Sequence, residues 1–387
     1  MQIPSLYVNI YLYFLIAVKG GAYFMKKLTA LVLALTLIGI PTTVAAAKTD
    51  LLSKTEALCI SSPLDKVWSI RSSDIHPELR VIGNAVRIIM PHFTEGFFKL
   101  GNFFIDNFLC GTNLADVTYE EKYINREDGT SLRICVYSPK EKKENVPGLL
   151  WIHGGGYGLG APEQDFSFVE SFVKESGCVV VAPDYTNSVD APYPAALNDC
   201  YSALMWLKEN GESYGMRSDQ IFVGGNSAGG GLCAAVTLLA RDKGEINIAF
   251  QMPLYPMIDD RMITPSSQNN DAPIWNTKSN ELGWRLYLGE AYGTDDVSKY
   301  ASPARETDYS GLPPTLTYVG DIEPFTDETV QYVENLKSAG VEVKFKIFEG
   351  CFHGFDLFSF TTPAKQAKEF LTEGFMYAVE HYTAEQK

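Results

Sequence analysis

From Val117 onward, short apolar runs alternate with longer stretches whose apolar residues recur at three- and four-residue spacing, a rhythm that predicts strands followed by helices. Val117–Asn125 and Ser131–Tyr137 flank the turn formers Glu127-Asp128-Gly129-Thr130 and read as a strand pair. The apolar runs Gly148–Ile152 and Cys178–Ala182 read as buried strands, followed by Gln220–Val223, Ile246–Leu254, Leu316–Val319 and Val341–Phe348. Helical spacing falls at Phe166–Lys174, Pro194–Glu209, Gly230–Arg241, Asp327–Ser338 and Pro363–Tyr382. This alternation predicts an α/β fold: a doubly wound, mostly parallel sheet with ligand sites at the carboxyl ends of its strands.

Two stretches break the rhythm. Residues 48–116 are helical in pattern, with Leu79, Ile82, Val86 and Ile89 as one stripe after Pro77. Phe97, Leu100, Phe104 and Phe108 form a second stripe, crowded by Phe98 and Phe103. Such stripes pack on a core; a sharper reading makes these aromatics a cap over an apolar pocket. His76 and His92 read as incidental. Residues 259–312 interrupt the alternation with Trp275, Trp284, Tyr287 and Tyr292 among polar residues, and read as an insertion over the site. The expected organisation is thus a leader over 1–47, an N-terminal helical cap segment over 48–116, and an α/β domain over 117–387 carrying that cap insertion.

Composition narrows the class. With 46% hydrophobic and 20% charged residues the chain can build a sizeable globular core. A net charge of −15 argues against nucleic acid or an anionic membrane surface as partner, since both need a basic face. The seven cysteines lie at scattered positions without metal-ligand spacing, so they read as mostly buried thiols, with one or two disulfides left open. Met25-Lys26-Lys27, an apolar run from Leu28 to Ile40 and Ala45-Ala46-Ala47 make the three-part signature of a secretory signal peptide, cleaved near Ala47. Residues 1–24 are apolar and aromatic, and are expected to lie upstream of a true start at Met25; two short membrane segments split by Lys19-Gly20-Gly21 are the other reading. The expected location is secreted or cell-surface, membrane-tethered if 1–47 are retained.

The chemistry centres on Gly225-Asn226-Ser227-Ala228-Gly229, a G-x-S-x-G between a predicted strand and a predicted helix. A serine on a strained strand-to-helix corner needs bare backbone on either side, and the following helix aims its free N–H groups and dipole at the same point. The plain alternative is a glycine-rich turn with an incidental serine. His153-Gly154-Gly155-Gly156 follows a buried strand, and consecutive glycines let backbone N–H groups converge as an oxyanion hole requires. The donors expected are the N–H groups of Gly154, Gly155 and Ala228, with His153 bracing the loop. His353, in Cys351-Phe352-His353-Gly354 after the last strand, is placed to act as general base. After strand 316–319 several carboxylates compete to orient it: Asp321, Glu323, Asp327 and Glu328, the last two reading as first-turn residues of the next helix. The order serine, acid, histidine is that of the hydrolases bearing this elbow.

Together these motifs make the chain resemble the hormone-sensitive-lipase-like (bacterial family IV) esterases of the α/β-hydrolase superfamily, over about residues 117–382. The match includes Asp184-Tyr185, Pro192-Tyr193-Pro194-Ala195-Ala196, Ala301-Ser302-Pro303 and Gly311-Leu312-Pro313-Pro314 beside the motifs above. The resemblance implies an α/β-hydrolase fold with a helical cap, Ser227 as nucleophile, His353 as base, and Gly154, Gly155 and Ala228 as oxyanion donors. The family's acid falls on Glu323, a glutamate where aspartate is usual, which keeps Asp321 as runner-up. Asn226 stands where the family commonly has aspartate. The implied function is a serine carboxylesterase acting on short acyl, including acetyl, esters through an acyl-enzyme. A small-molecule ester is the expected partner, with no metal, cofactor or nucleic acid, and with the oligomeric state open. Alternatives are an exported serine peptidase of the same superfamily and a non-enzymatic relative that binds small molecules.

Overall fold

The structure, a computed structural model, describes residues 69–386 except Glu127. The leader over residues 1–47, and with it the expectation of export, lies outside the described residues, as does Cys59. Among the described residues, 69–356 and 361–386 belong to one compact unit.

Two helices come first, α1 (Pro77–Ile89) and α2 (Glu95–Phe108), followed by the hairpin β1 (Thr118–Asn125) and β2 (Ser131–Ser138). Then β3 (Val146–Ile152), α3 (Phe166–Ser176), β4 (Val179–Pro183), α4 (Ala195–Asn210), β5 (Met216–Asn226) and α5 (Ala228–Lys243) alternate. After β6 (Phe250–Leu254) comes α6 (Thr277–Leu288), and β7 (Thr315–Gly320), α7 (Thr326–Ser338), β8 (Val343–Phe348) and α8 (Thr362–His381) complete the order. Eight strands form one sheet in the order β1-β2-β4-β3-β5-β6-β7-β8. The hairpin and the β2–β4 pairing are antiparallel, and the strands from β4 to β8 run parallel. This is the mostly parallel α/β sheet expected from the alternation.

Strand register places the chemistry. In the β3–β5 pair Ile152 lies beside Gly225, so the loop leaving β3 and the elbow leaving β5 start as neighbours. In the β7–β8 pair Gly320 lies beside Phe348, which starts the loops bearing Glu323 and His353 together. Both pairs deliver their loops to the carboxyl ends of the parallel strands, where ligand sites of such sheets lie. Core aromatics hold helices to strands: Phe375 of α8 packs on Phe172 of α3 and on Phe222 of β5, at centroid distances of 4.6 and 5.9 Å. At the far edge, β8 alternates Lys344 and Lys346 with Val343, Phe345 and Ile347, and both lysines lie over the Phe370 ring.

The N-terminal helices depart from the expected stripes, α2 by one residue throughout and α1 only at Ile89. In α2 the buried positions are Phe98, Gly101 and Ile105, one residue away from the expected stripe, while Leu100, Phe103 and Phe108 are exposed. Gly101 decides the rotation: a Cβ there would stand 2.6 Å from Leu159 Cδ1, so the helix backbone closes on the loop after β3. In α1 only Leu79 and Gly83 are buried, and Ile89 faces outward. His76 is the α1 N-cap, its Nδ1 accepting the Glu78 N–H at 3.3 Å, and Thr94 caps α2 by accepting the Phe97 N–H at 3.2 Å. The insertion contains a helix that periodicity did not announce, α6, capped by Asn276, which accepts the Ser279 N–H at 3.1 Å. Asp327 and Glu328 in the first turn of α7 tie the insertion down, accepting the N–H groups of Ser266 at 2.8 Å and Ile258 at 2.9 Å. The six cysteines within the described residues are free thiols, five of them buried.

Candidate active site

Ser227 occupies the corner between β5 and α5 with φ 57° and ψ −120°, a backbone region that side-chain-bearing residues rarely adopt. The flanking glycines make it possible. A Cβ on Gly225 would stand 2.4 Å from the Gly229 carbonyl oxygen, and one on Gly229 would stand 2.0 Å from the Ile152 oxygen. The Ser227 hydroxyl meets His353 Nε2 at 2.8 Å. On its other side the imidazole Nδ1–H donates to Glu323 Oε2. Glu323 Oε1 accepts the Gly320 N–H at 2.9 Å, so both carboxylate oxygens are engaged. Three segments that are distant in sequence therefore form one hydrogen-bonded row of hydroxyl, imidazole and carboxylate.

Surroundings fix that row. Phe325 and Tyr255 set their ring edges against the His353 ring at centroid distances of 5.0 and 5.1 Å, and Trp275 lies at 6.3 Å. Glu323 is completely buried, which pushes its carboxyl upward; the adjoining His353 and the Gly320 N–H oppose that shift. Of the competing carboxylates, Asp321 faces elsewhere, accepting the Gly350 N–H at 2.6 Å. Between Glu323 and Asp321, the geometry brings Glu323 to the histidine.

The glycine loop after β3 and the first turn of α5 flank the serine. Because a trans peptide points its N–H opposite its C=O, anchoring a carbonyl aims the next amide. The His153 carbonyl accepts from Tyr185 Oη at 3.0 Å, which turns the Gly154 N–H the other way. The Gly154 carbonyl accepts from Gln164 Nε2 at 3.1 Å and His153 Nδ1 at 2.8 Å, which sets the Gly155 N–H. The Ser227 carbonyl accepts from the Gly231 and Met257 N–H groups, each at 3.0 Å, which sets the Ala228 N–H at the first turn of α5. Gly154 packs directly on the serine, since a Cβ there would stand 3.2 Å from Ser227 Cβ. Gly155 has φ +125°, and a Cβ there would lie 1.7 Å from the Leu159 oxygen, so only glycine fits. His153 braces the loop: its ring stacks on Tyr185 at 4.2 Å, and burial lowers it to about 4, leaving a neutral ring that donates from Nδ1.

Comparison with known proteins adds what geometry leaves open. A family described as alpha/beta hydrolase fold matches residues 149–357, the span that holds Ser227, Glu323, His353 and the glycine loop after β3. The chain belongs to the α/β-hydrolase family. Among the relatives of this α/β-hydrolase, the carboxylesterase NlhH of Mycobacterium tuberculosis is 30% identical over 253 residues, covering 65% of this chain and 79% of that one. The ethyl acetate hydrolase of Pseudomonas putida is 26% identical over 235 residues, covering 60% of this chain and 74% of its own. The solved structure of a bacterial heroin esterase superposes with a TM-score of 0.73 at 32% identity, covering 79% of this chain and 98% of that one. These similarities place the α/β-hydrolase in the hormone-sensitive-lipase-like esterase branch, and its reaction class is carboxylic ester hydrolysis.

The sequence gives no role to Asp165, Tyr255 or Phe325, which touch the row or the elbow, and marks Trp275 only as part of the insertion over the site. Each follows a strand or sits in the insertion as an ordinary aromatic or acidic residue, and its partners lie far along the chain. Only Trp275, noted within a polar stretch, carried a signal.

Proposed function

We propose that this protein is a serine carboxylesterase that hydrolyses short-chain acyl esters through an acyl-enzyme. The observation that carries the reading is the 2.8 Å contact of His353 Nε2 with Ser227 Oγ while Nδ1–H is held by Glu323. In that tautomer the ring has a free lone pair for the serine proton. Ser227 Oγ bonds to the ester carbonyl carbon as its proton passes to His353 Nε2. The carbonyl oxygen becomes an anion facing the N–H groups of Gly154, Gly155 and Ala228. Glu323 stabilises the imidazolium formed meanwhile and remains unprotonated. The carbon–oxygen bond to the alcohol then breaks, and the alcohol leaves with the proton from His353. Water, deprotonated by the same nitrogen, attacks the acyl-enzyme and releases the acid and free Ser227.

A short acyl group is supported by the aromatic walls around His353 and by the acetate ester in the name of the Pseudomonas putida relative. Residues 48–116 and 259–312 are the proposed cap: within the described residues Phe93 meets Trp275 at 5.4 Å, and a Cβ on Gly156 would stand 2.2 Å from Trp275. Export is proposed from the basic, apolar and Ala-x-Ala order of residues 25–47. Two measurements test the reading. Ser227→Ala should leave the melting curve intact and abolish p-nitrophenyl acetate turnover; retained turnover removes Ser227 from its role. Across p-nitrophenyl esters of rising acyl length, kcat/KM should peak at the shortest chains, and a maximum at long chains overturns the substrate assignment.

A further inference from the structure

The loop after the three glycines ends in the turn Pro162–Asp165, and Asp165 is buried behind the elbow. Its Oδ2 accepts two hydrogen bonds, from Trp151 Nε1–H at 2.8 Å and from Asn226 Nδ2–H at 2.9 Å. Trp151 lies near the end of β3, two residues before His153, and Asn226 immediately precedes Ser227. One carboxylate oxygen thus joins the strand, the glycine loop and the elbow. The far end of Asn226 presses on that loop: a Cβ on Gly154 would meet Asn226 Oδ1 at 2.4 Å.

Polarity at this junction runs one way. An indole nitrogen can only donate, and stacking on Phe168 at 5.0 Å and contact with Phe172 at 5.1 Å hold the Trp151 ring in place. The position of Asp165 Oδ2 must therefore hold an acceptor, and the residue before Ser227 must present a donor. Asparagine does so. Aspartate would set a carboxylate about 3 Å from another, and two carboxylates at that separation cannot both ionise.

Resting on the serine esterase reading, we propose that Asp165 is a positioning residue that acts through Asn226 to hold Ser227 and Gly154 in reactive register. The titratable groups facing Asp165 are the carboxyl of Asp356 and the phenols of Tyr185 and Tyr255. Burial, opposed by the two donors, raises Asp165 to about 7, in keeping with an oxygen that serves as acceptor whether or not its partner oxygen carries a proton. Misplacement of Ser227 against its amides by a fraction of an ångström lowers turnover and leaves substrate binding largely untouched.

The test compares Asn226→Asp, Asp165→Leu and Asp165→Asn with the wild type in p-nitrophenyl acetate kinetics and in the rate of fluorophosphonate labelling. Asn226→Asp should lower kcat at least about tenfold with KM within about threefold, and the deficit should deepen between about pH 6 and pH 9 as the shared proton leaves. Asp165→Asn, which keeps an oxygen for both donors, should cost at least about ten times less than Asp165→Leu, which removes it. An Asn226→Asp enzyme that tracks the wild type through about pH 9 overturns the proposal, as does equal loss in the two Asp165 variants with intact melting curves. If Asp165→Leu does not fold, the Asn226→Asp profile decides alone. A wild type that neither turns over ester nor takes the fluorophosphonate defeats the esterase reading instead, whatever the variants do.

Discussion

Replacing Glu323 by glutamine keeps the shape of the side chain and removes the charge that holds His353 in its tautomer. Turnover should fall roughly 10²–10⁴-fold, as when an orienting acid loses its charge. Asp321→Asn should stay within about threefold, because an amide oxygen can still accept the Gly350 N–H. Steady-state kinetics of the two variants checks this, and the opposite ranking would give the orienting role to Asp321. Gly155→Ala drives a methyl into the Leu159 carbonyl at φ +125°, so the loop must move and kcat should drop about 10²–10³-fold through a lost donor. At this scale the sequence is informative wherever backbone is bared. Runs of glycine around Ser227 and after His153 have few uses other than close approach, so those positions announce themselves. A carboxylate's direction leaves no such mark: Asp321 and Glu323 are two residues apart in one turn, and only the folded path of that turn separates them. Asp165 is quieter still, since its partners Trp151 and Asn226 lie 14 and 61 residues away.

Elements follow the contrast between apolar and polar positions, and they are legible in proportion to it. Strands β3 and β4 are apolar along nearly their whole length and stand within a residue or two of expectation. Helix α2 offers little contrast, because five phenylalanines leave several faces about equally apolar. Its true inner face is picked out by a glycine, and a hydrophobicity count overlooks that residue. Helix α6 buries polar Ser279 and Asn280 beside Trp284 and Tyr287, so no apolar stripe marks it, although Asn276 at its start is a capping residue. The rotation of α2 is directly testable by urea denaturation. Ile105→Ala should cost about 2–4 kcal/mol through a buried cavity. Phe103→Ala, on the exposed face, should remain within about 0.5 kcal/mol. Equal costs would place α2 in the orientation that its stripe first suggested.

For the whole molecule, the buried carboxyls set how stability responds to pH. Asp165 keeps its proton up to about pH 7 in the folded chain and would release it near about pH 4 when unfolded. The folded state therefore binds more protons between those values, and this group's contribution, complete below about pH 4, is lost as pH rises towards 7. Asp165→Asn removes the titration, so its melting temperature relative to the wild type should climb across that interval and then level off. A constant difference across the interval would refute the assignment. The outer strand β8 has a consequence of a different kind. The outermost strand of the described sheet invites any passing strand to zip onto it, and Lys344 and Lys346 meet that invitation with like charge. Exchanging both for threonine should leave the catalytic row untouched yet make heated solutions scatter light sooner, as separate molecules begin to share a seam.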